Sequence, residues 1–268
     1  MQGNGKARSV IVTGAAGVLG QAMTAALVKA GHRVLLTDRS EDALKDLAER
    51  SKATKGAIAV CAADLTSVDG PVVIEKAALD AFGRIDMLIN NAAFTAFAAW
   101  PDSDQPNAWE LDTELVRQFF DINFIAQHAL TSRVIPGMIE QGWGRIVNIS
   151  CSYNTMQRLY PYGATKAALE AYTAALQTQL RETKVTANTL NPGGPVFFPA
   201  HVAANPGLNW VQPEIMDAPI LWLASDESNG VPGRRYVAVK WTEGMTPEIA
   251  LQKAAGPMSW RGFGAEAI

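Results

Sequence analysis

The sequence predicts an α/β protein built on a doubly wound parallel sheet, with helices on both faces of the sheet. Two observations support this fold class. Segments with strand character alternate with segments of helical character along most of the chain. The strand segments are continuous apolar runs rather than alternating ones, which is typical of parallel strands that are buried on both faces.

Local signals give the order of the elements. The first strand, "RSVIVTG" (8–14), ends in glycine, and the helical segment over 17–31 follows it and stops at Gly31. Ser40 is a predicted N-cap for the helix over 41–50, because its hydroxyl can accept a hydrogen bond from an unpaired backbone N–H. The remaining predicted strands are 32–38, 56–65, 84–93, 144–152, 184–194 and, as the last one, 234–241. The clearest remaining helices are 70–82, 114–139 and 161–181.

Composition limits the classes of protein to consider. A chain of 268 residues with 48% hydrophobic residues is long enough for one large domain over 1–268. A net charge of −3 without a basic stripe argues against a nucleic-acid partner. The sequence has no apolar run of membrane-spanning length and no signal peptide, and its two cysteines lie in apolar runs, so we expect a cytoplasmic protein with reduced thiols. No metal site is predicted.

The junction between the first strand and the first helix, "TGAAGVLG" (13–20), predicts a nucleotide site. Gly14 allows a tight turn, Gly17 lets backbone approach a pyrophosphate, and Gly20 lets the helix pack on the sheet. Val18 and Leu19 lie in the first turn of that helix, where backbone N–H groups favour phosphate. The alternative interpretation is an ordinary glycine-rich turn.

Asp38 ends the second strand and predicts a preference for NAD over NADP. A carboxylate at this place can accept hydrogen bonds from ribose hydroxyls and would repel a 2′-phosphate. Arg39 argues in the other direction, because an arginine here can accommodate that phosphate. The alternative role for Asp38 is to cap the helix that follows.

Together with Tyr162 and Lys166, these residues give the sequence a resemblance to the short-chain dehydrogenase/reductase family, and with it to Rossmann-like folds. The resemblance extends over nearly the whole chain, and the order and spacing of its motifs make it specific. The matching segments are "TGAAGVLG" (13–20), "AADLT" (62–66), "INNAA" (89–93), "FDINF" (120–124), "GRIVNIS" (144–150), "YGATK" (162–166) and "NPGG" (191–194).

The resemblance implies roles for individual residues. Asp64, with Leu65 beside it, would contact the adenine, and Asn90 would line the adenosine side of the cofactor. Pro192 and Gly193 would lie against the nicotinamide end. Asn123 would hold a water that links Lys166 to solvent.

The chemistry of Tyr162 and Lys166 is understandable without the family. Hydride transfer to a carbonyl leaves an alkoxide that needs a proton, and a free tyrosine, with a pKa of about 10, donates and accepts poorly near neutrality. A lysine one helical turn away should lower that pKa by favouring the phenolate. The alternative interpretation of the pair alone is an amphipathic helix face.

The hydroxyl that assists Tyr162 is less clear from the sequence. In an extended chain Ser150 and Ser152 share one face and Cys151 points to the other, away from Tyr162. The family's usual serine aligns with Cys151. Ser150 has the more usual separation from Tyr162, but Ser152 lies nearer the carboxyl edge of the sheet, and it is our predicted oxyanion-side group.

Several departures from the family pattern leave other functions open. The spacing of Gly14, Gly17 and Gly20 resembles longer family members that include epimerases and dehydratases, which use bound NAD transiently. Phe197 stands where a threonine usually follows the Pro-Gly motif. A protein that senses nucleotides without turnover is a third hypothesis, although the Tyr162–Lys166 pair argues against it.

Two long irregular segments are expected to shape the substrate site. They span 94–113 and 193–213, and the second is a predicted lid. Both are rich in aromatic residues, which predicts an apolar or aromatic secondary alcohol or ketone as substrate. His32, His128 and His201 are interpreted as packing or surface residues, with His201 in the lid a weaker candidate for substrate contact. Apolar positions on more than one face of the helices at 114–139 and 161–181 predict a homodimer or homotetramer.

Overall fold

A computed structural model describes residues 6–51, 55–100, 105–198, 202, 207–242 and 244–260 of the chain. Its strands form one eight-stranded sheet in the order β3-β2-β1-β4-β5-β6-β7-β8, and all neighbouring strands are parallel except β7 and β8. The strands are β1 (Ser9–Thr13), β2 (Arg33–Asp38), β3 (Ala57–Ala62), β4 (Met87–Asn90), β5 (Gly144–Ile149), β6 (Val185–Asn191), β7 (Arg235–Val237) and β8 (Ala255–Gly256). The predicted doubly wound parallel sheet is confirmed.

Helices cover both faces of this sheet. They are α1 (Val18–Lys29), α2 (Glu41–Ser51), α3 (Gly70–Phe82), α4 (Ala96–Ala99), α5 (Thr113–Phe120), α6 (Ala126–Glu140), α7 (Tyr153–Arg158), α8 (Tyr162–Gln179), α9 (Asp217–Ala224) and α10 (Pro247–Ala254). None of the helices in the described ranges is long and apolar enough to cross a membrane.

The apolar strands divide their side chains between two cores. In β1, Val10 and Val12 pack with α1, α2 and α9, whereas Ile11 packs with α3, α6 and α8 on the opposite face. The same division recurs in β4, where Ile89 and Leu88 belong to different cores. Because both faces are buried, consecutive positions in the middle of these strands are apolar, as in Val10, Ile11 and Val12, which is the pattern that predicted the fold.

The predicted helix over 114–139 is one continuous helical path with a break in its geometry. The π-helical turn Asp121–Ile125 separates α5 from α6. Such a turn adds one residue to the helix and often occurs at functional sites. It rotates Asn123 into the interior, where it is fully buried.

Two predicted boundaries near the site are wrong. The strand predicted to continue to residue 152 ends at Ile149, because Ser152 begins the short helix α7 as its N-cap. The strand predicted over 234–241 is only Arg235–Val237, followed by the 3-10 turn Ala238–Lys240. It is also not the last strand, since β8 pairs with it in antiparallel orientation and covers that edge of the sheet.

Candidate active site

The sequence-predicted residues gather at the carboxyl edge of the sheet. The strand order changes direction at β1, which lies between β2 and β4, and ligands of doubly wound sheets bind at such a switch point. The glycine-rich loop follows β1, Asp38 ends β2, and Asn90 ends β4. The Cys151 segment follows β5, and Pro192 follows β6.

The glycine-rich loop has close contacts that only glycine permits. Gly14 has a φ of 61°, in the left-handed region that favours glycine. A Cβ on Gly20 would lie 2.3 Å from the Gly14 carbonyl oxygen, so α1 can approach the loop only without a side chain there. No side chain caps α1 and its first turn has no acid, which leaves the N–H groups at Val18 and Leu19 suited to an anion.

Asn91 fastens this loop to the end of β4, a role that sequence reasoning missed. Its Nδ2 donates to the carbonyl oxygens of Thr13 and Gly14, at 2.9 and 3.0 Å. The Thr13 hydroxyl in turn accepts from the backbone N–H groups of Asn91 and Ala92, both at 3.0 Å. The sequence does show two adjacent asparagines, Asn90 and Asn91, at the end of this strand. Periodicity alone could not tell which of the two side chains points toward the glycine-rich loop.

Asn90, predicted to line the adenosine side, points elsewhere. It is fully buried, and its Nδ2 donates to Thr131 Oγ1 and to Asn148 Oδ1. The side chain therefore lies inside the protein, and only the main chain of Asn90 can contribute to the edge. Leu65 is similar, since its side chain is buried in the core that contains α3.

The predicted adenosine end contains two carboxylates and one arginine. Asp38 accepts hydrogen bonds from the backbone N–H groups of Arg39 (2.7 Å) and Ala16 (3.3 Å), which ties it to the glycine-rich loop. Asp64 accepts from the hydroxyl and the N–H of Thr66, and these bonds lower the pKa of its carboxyl group. The charge of Arg39 makes the smallest contribution to the same lowering.

Asn123 joins two segments of the site. Its Oδ1 accepts from the N–H of Phe94, and its Nδ2 donates to the Phe94 carbonyl and to Thr165 Oγ1. These bonds use three of the four hydrogen-bonding positions of the carboxamide. The π-helical turn thus holds the start of the 94–113 segment against α8.

Tyr162 and Lys166 lie one turn apart at the beginning of α8, as predicted. The Lys166 ammonium lies 5.7 Å from the centre of the Tyr162 ring and donates a 2.8 Å hydrogen bond to the carbonyl oxygen of Ile149. Burial lowers the pKa of Lys166 to about 8.

Burial also raises the pKa of the Tyr162 phenol above its ordinary value, and the Cys151 thiol adds to this rise. The predicted lowering by Lys166 is therefore not found, because burial dominates the pKa of Tyr162 and Lys166 is not among the causes of the shift. The physical reason is that the ammonium is directed at a backbone carbonyl and is itself destabilised by burial.

The three residues after β5 do not continue the strand alternation on which the prediction for Ser152 was based. Ser150 is buried and donates to Glu170 Oε1 at 2.7 Å. Ser152, the predicted oxyanion-side group, caps α7 by accepting from the N–H of Thr155, and its hydroxyl also contacts Thr155 Oγ1 at 2.9 Å. Cys151 does not point away, because its thiol is near enough to act upward on the pKa of Tyr162 and on that of Lys166. Strand alternation failed here because the strand has already ended.

The predicted lid has an anchored base. The bridge between Val196 and Val211 joins its two arms, and the N–H of Phe197 donates to the Val211 carbonyl at 2.8 Å. Phe97 lies 6.5 Å, centre to centre, from Trp210, so the lid touches the other long segment. His201 lies outside the described residues.

The other histidines are packing or surface residues, as predicted. His32 is buried and accepts from the N–H of Arg8, while His128 is exposed and packs edge-on against Tyr172. In the ranges that the structure describes, no group of three or more His, Cys, Asp or Glu side chains could hold a metal ion.

These features define a dinucleotide site beside a tyrosine–lysine pair, and comparison with known proteins agrees. The family model for short chain dehydrogenases matches residues 8–196. Fluoren-9-ol dehydrogenase of Terrabacter sp. (strain DBF63) is 29% identical over 261 residues, which cover 90% of this chain and 73% of that protein. The chain belongs to the short-chain dehydrogenase family.

Solved structures support the same assignment. A protein from Beutenbergia cavernae with NADP bound at low occupancy has a TM-score of 0.73 and 26% identity, covering 86% of this chain and 94% of that one. A 3-oxoacyl-[acyl-carrier protein] reductase from Brucella melitensis with bound NAD has a TM-score of 0.72 and 25% identity, covering 87% and 90%. The glycine-rich loop, with its uncapped helix start, fits the pyrophosphate of such a dinucleotide. The chain is therefore a nicotinamide-dependent oxidoreductase.

Gly20→Ala should weaken dinucleotide binding, because a Cβ would collide with the Gly14 carbonyl and push the loop away from α1. We expect the Kd for NAD to rise by about tenfold or more, the order of a 1.4 kcal/mol loss, in calorimetric titration. Gly137→Ala in α6 is the control, since a Cβ there meets nothing within 4 Å. An unchanged Kd for Gly20→Ala would contradict the role given to this glycine.

Proposed function

We propose that this protein transfers hydride between NAD(H) and a secondary alcohol or ketone that is apolar or aromatic. The observation that carries the proposal is the Tyr162–Lys166 pair at the sheet edge that also holds the glycine-rich loop. One group of residues suits a dinucleotide and the other suits proton transfer to the oxygen of the substrate. The most direct test is a screen of alcohols and ketones that follows NADH by its absorbance.

Each residue of the pair has a separate task. The nicotinamide ring, when bound, accepts or supplies the hydride, and its oxidised form brings a positive charge. In alcohol oxidation the Tyr162 phenolate takes the hydroxyl proton, and in ketone reduction the phenol returns it. Lys166, held by the Ile149 carbonyl, keeps a cation near that oxygen. Asn123 keeps Phe94 and Thr165 in place around the pair.

The substrate class rests on the aromatic residues of the two long segments. Phe97 and Trp210 contact each other across those segments, and Phe94 packs on Phe119 with ring centres 4.6 Å apart. The similarity to a fluoren-9-ol dehydrogenase points the same way, because that name describes a secondary alcohol between aromatic rings. These rings would exclude water and favour an apolar substrate.

NAD is the proposed cofactor because of the charges around Asp38. Its carboxylate lies at the end of β2, where it would repel a 2′-phosphate. Arg39, which could neutralise such a phosphate, also interacts electrostatically with Asp64, whose pKa it helps to lower. Two carboxylates thus compete with one guanidinium.

An epimerase or dehydratase that uses bound NAD transiently is the second candidate. The spacing of Gly14, Gly17 and Gly20 favours it. Net formation of NADH from an alcohol distinguishes the two, because a transient cofactor returns to NAD at the end of each cycle.

We further propose that the chain acts as a single-domain cytoplasmic enzyme that assembles as a homodimer or homotetramer. Of the apolar residues on the helices predicted at 114–139 and 161–181, several are buried within the chain, among them Phe119, Leu169, Leu176 and Leu180. Phe120 and Phe124 remain partly exposed, and Ile125 between the two helices is 51% exposed. This face of α5 and α6 is the candidate contact surface.

Tyr162→Phe removes the transferable proton and keeps the ring. Turnover should fall by about a hundredfold or more, the scale of general acid–base catalysis, while the Kd for NAD changes little. Tyr160→Phe is the matched control, since Tyr160 lies two residues away and is 36% exposed. The measurement is the steady-state kcat of both variants. Loss of activity in Tyr160→Phe alone would overturn the assignment of Tyr162 as the proton-transfer residue.

Asp38→Ala should weaken NAD binding and relax discrimination against NADP, because a repelling charge disappears. The ratio of kcat/KM for NAD to that for NADP should fall by about tenfold, equivalent to about 1.4 kcal/mol. Asp42→Ala, an acid in the first turn of α2, serves as control for a general change in charge. A native enzyme that already prefers NADP contradicts the proposal.

Assembly is testable by light scattering coupled to gel filtration. We expect a mass of two or four times the 28.7 kDa of the chain. A mass of one chain across the working concentration range would contradict the proposed oligomer.

A further inference from the structure

A buried polar cluster lies behind the active site, and the proton-transfer chemistry above does not use it. Glu170 is fully buried on α8, one turn beyond Lys166, and Arg235 at the start of β7 is 6% exposed. Arg235 Nε lies 2.9 and 3.0 Å from the two carboxylate oxygens of Glu170. The two residues are 65 positions apart in sequence, so the pair forms only when β7 and α8 are in place.

The pair holds the chain that leaves β5. Glu170 Oε1 accepts from the Ser150 hydroxyl at 2.7 Å, and the second Arg235 nitrogen donates to the Cys151 carbonyl at 2.9 Å. The Arg235 guanidinium also lies 4.1 Å from the centre of the Tyr153 ring. With the bond from Lys166 to Ile149, three successive residues of this segment are fixed by buried charged side chains.

Stability alone is a poor explanation for this arrangement. Removing two opposite charges from water costs several kcal/mol per ion, and apolar residues of similar size are often equally stabilising. Burial raises the pKa of Glu170, while Arg235 and the Ser150 hydroxyl oppose that rise, so the carboxylate depends on its partners. An ion pair of this kind is best explained by the geometry that it enforces.

The geometry points to Cys151 as the object of this positioning. Both neighbouring hydroxyls are engaged elsewhere, Ser150 with Glu170 and Ser152 with the start of α7. Cys151 is 9% exposed, Arg235 holds its carbonyl, and Lys166 holds the carbonyl of Ile149 two residues before it. This places Cys151 in the segment next to the Tyr162–Lys166 pair, and its thiol contributes to the pKa of both residues. We propose that the Glu170–Arg235 pair is a positioning element that presents the Cys151 thiol, in place of a serine hydroxyl, to the substrate oxygen next to Tyr162.

This inference rests on the proposed function, since it assigns a group within the same site. A thiol is a weaker hydrogen-bond donor than a hydroxyl. Cys151 would therefore orient the substrate oxygen while stabilising it less than serine does. The thiol undergoes no bond change in the reaction.

The first experiment replaces the thiol. Cys151→Ala should lower kcat by about tenfold or more, the order expected when a donor at the reacting oxygen is lost. Cys151→Ser should match or exceed the native kcat, because it supplies a stronger donor of similar size. Cys61→Ala is the control, since Cys61 is a buried thiol on β3, at the far side of the sheet from β5. Native kcat in Cys151→Ala, with Cys61→Ala also unchanged, would overturn the proposal.

The second experiment tests positioning without relying on turnover. In a Cys61→Ala background Cys151 is the single thiol, and its labelling by a disulfide reagent reports its exposure and surroundings. Glu170→Gln should accelerate labelling by about tenfold and lower kcat by a similar factor, as misplacement of a reacting group does, with little change in the Kd for NAD.

Asp86→Asn is the matched control for this change. Asp86 is also fully buried and paired with an arginine, Arg84. It lies just before β4, at the amino ends of the parallel strands and so away from the site. It should lower stability in urea without changing the labelling rate of folded protein.

The outcomes separate the two proposals. Equal labelling rates in Glu170→Gln and its background, with circular dichroism showing both folded, would overturn the positioning role. Equal acceleration in Asp86→Asn and Glu170→Gln would overturn it as well. Should Glu170→Gln fail to fold, Arg235→Lys keeps the charge but loses the bond to the Cys151 carbonyl, and the same labelling comparison applies. If no alcohol or ketone gives NAD-linked turnover with the native protein, the proposed function fails, whereas labelling still reports on positioning.

Discussion

The hydrogen bond from Lys166 to the carbonyl of Ile149 is the contact on which the geometry of the site depends. It fastens the first turns of α8 to the end of β5 and so sets where Tyr162 lies relative to the sheet edge. A buried ammonium is unfavourable unless it has partners, and here one partner is the main chain of the strand itself. The position of α8 and the lowered pKa of Lys166 thus have a common origin in the burial of this lysine against the end of β5.

Burial also explains why Tyr162 and Lys166, taken by themselves, do not form a phenolate–ammonium pair. Spacing along the helix brings the side chains together, but burial raises the pKa of the phenol and lowers that of the ammonium at the same time. Both shifts oppose the charged pair that chemistry requires. A positive charge from the oxidised ring would favour the phenolate, so binding of the dinucleotide and activation of Tyr162 are expected to be coupled.

Sequence reasoning succeeded where periodicity and glycine chemistry decide the structure. The continuous apolar strands predicted a sheet covered on both faces. The helix over 70–82 was predicted to the residue, because Gly70 is its first residue and Gly83 follows its last. The glycine-rich loop and the Tyr162–Lys166 spacing were also predictable, because each is local in sequence.

The failures share a different cause. The directions in which the side chains of Ser150, Cys151 and Ser152 point depend on where β5 ends. The strand ends early because Ser152 is the N-cap of α7. The contacts of Asn90 and Asn123 depend on partners that are about 30 to 60 residues away in sequence. No local sequence pattern predicts the ion pair between Glu170 and Arg235, because that contact forms only when α8 and β7 are placed side by side in the fold.

The short strand β8 has a consequence for how this protein behaves in a crowded solution. A sheet edge with free backbone donors and acceptors is a template on which another chain can add a strand. By pairing with Arg235 and Tyr236, β8 becomes the edge strand itself, and with only two residues it leaves a very short edge. The longer edge is β3 at the other end of the sheet, where Val60 is 37% exposed, so that edge offers more backbone to an added strand than β8 does. Partial unfolding that frees β8 would therefore leave β7 as the edge strand, with unpaired backbone groups on which another chain could add a strand.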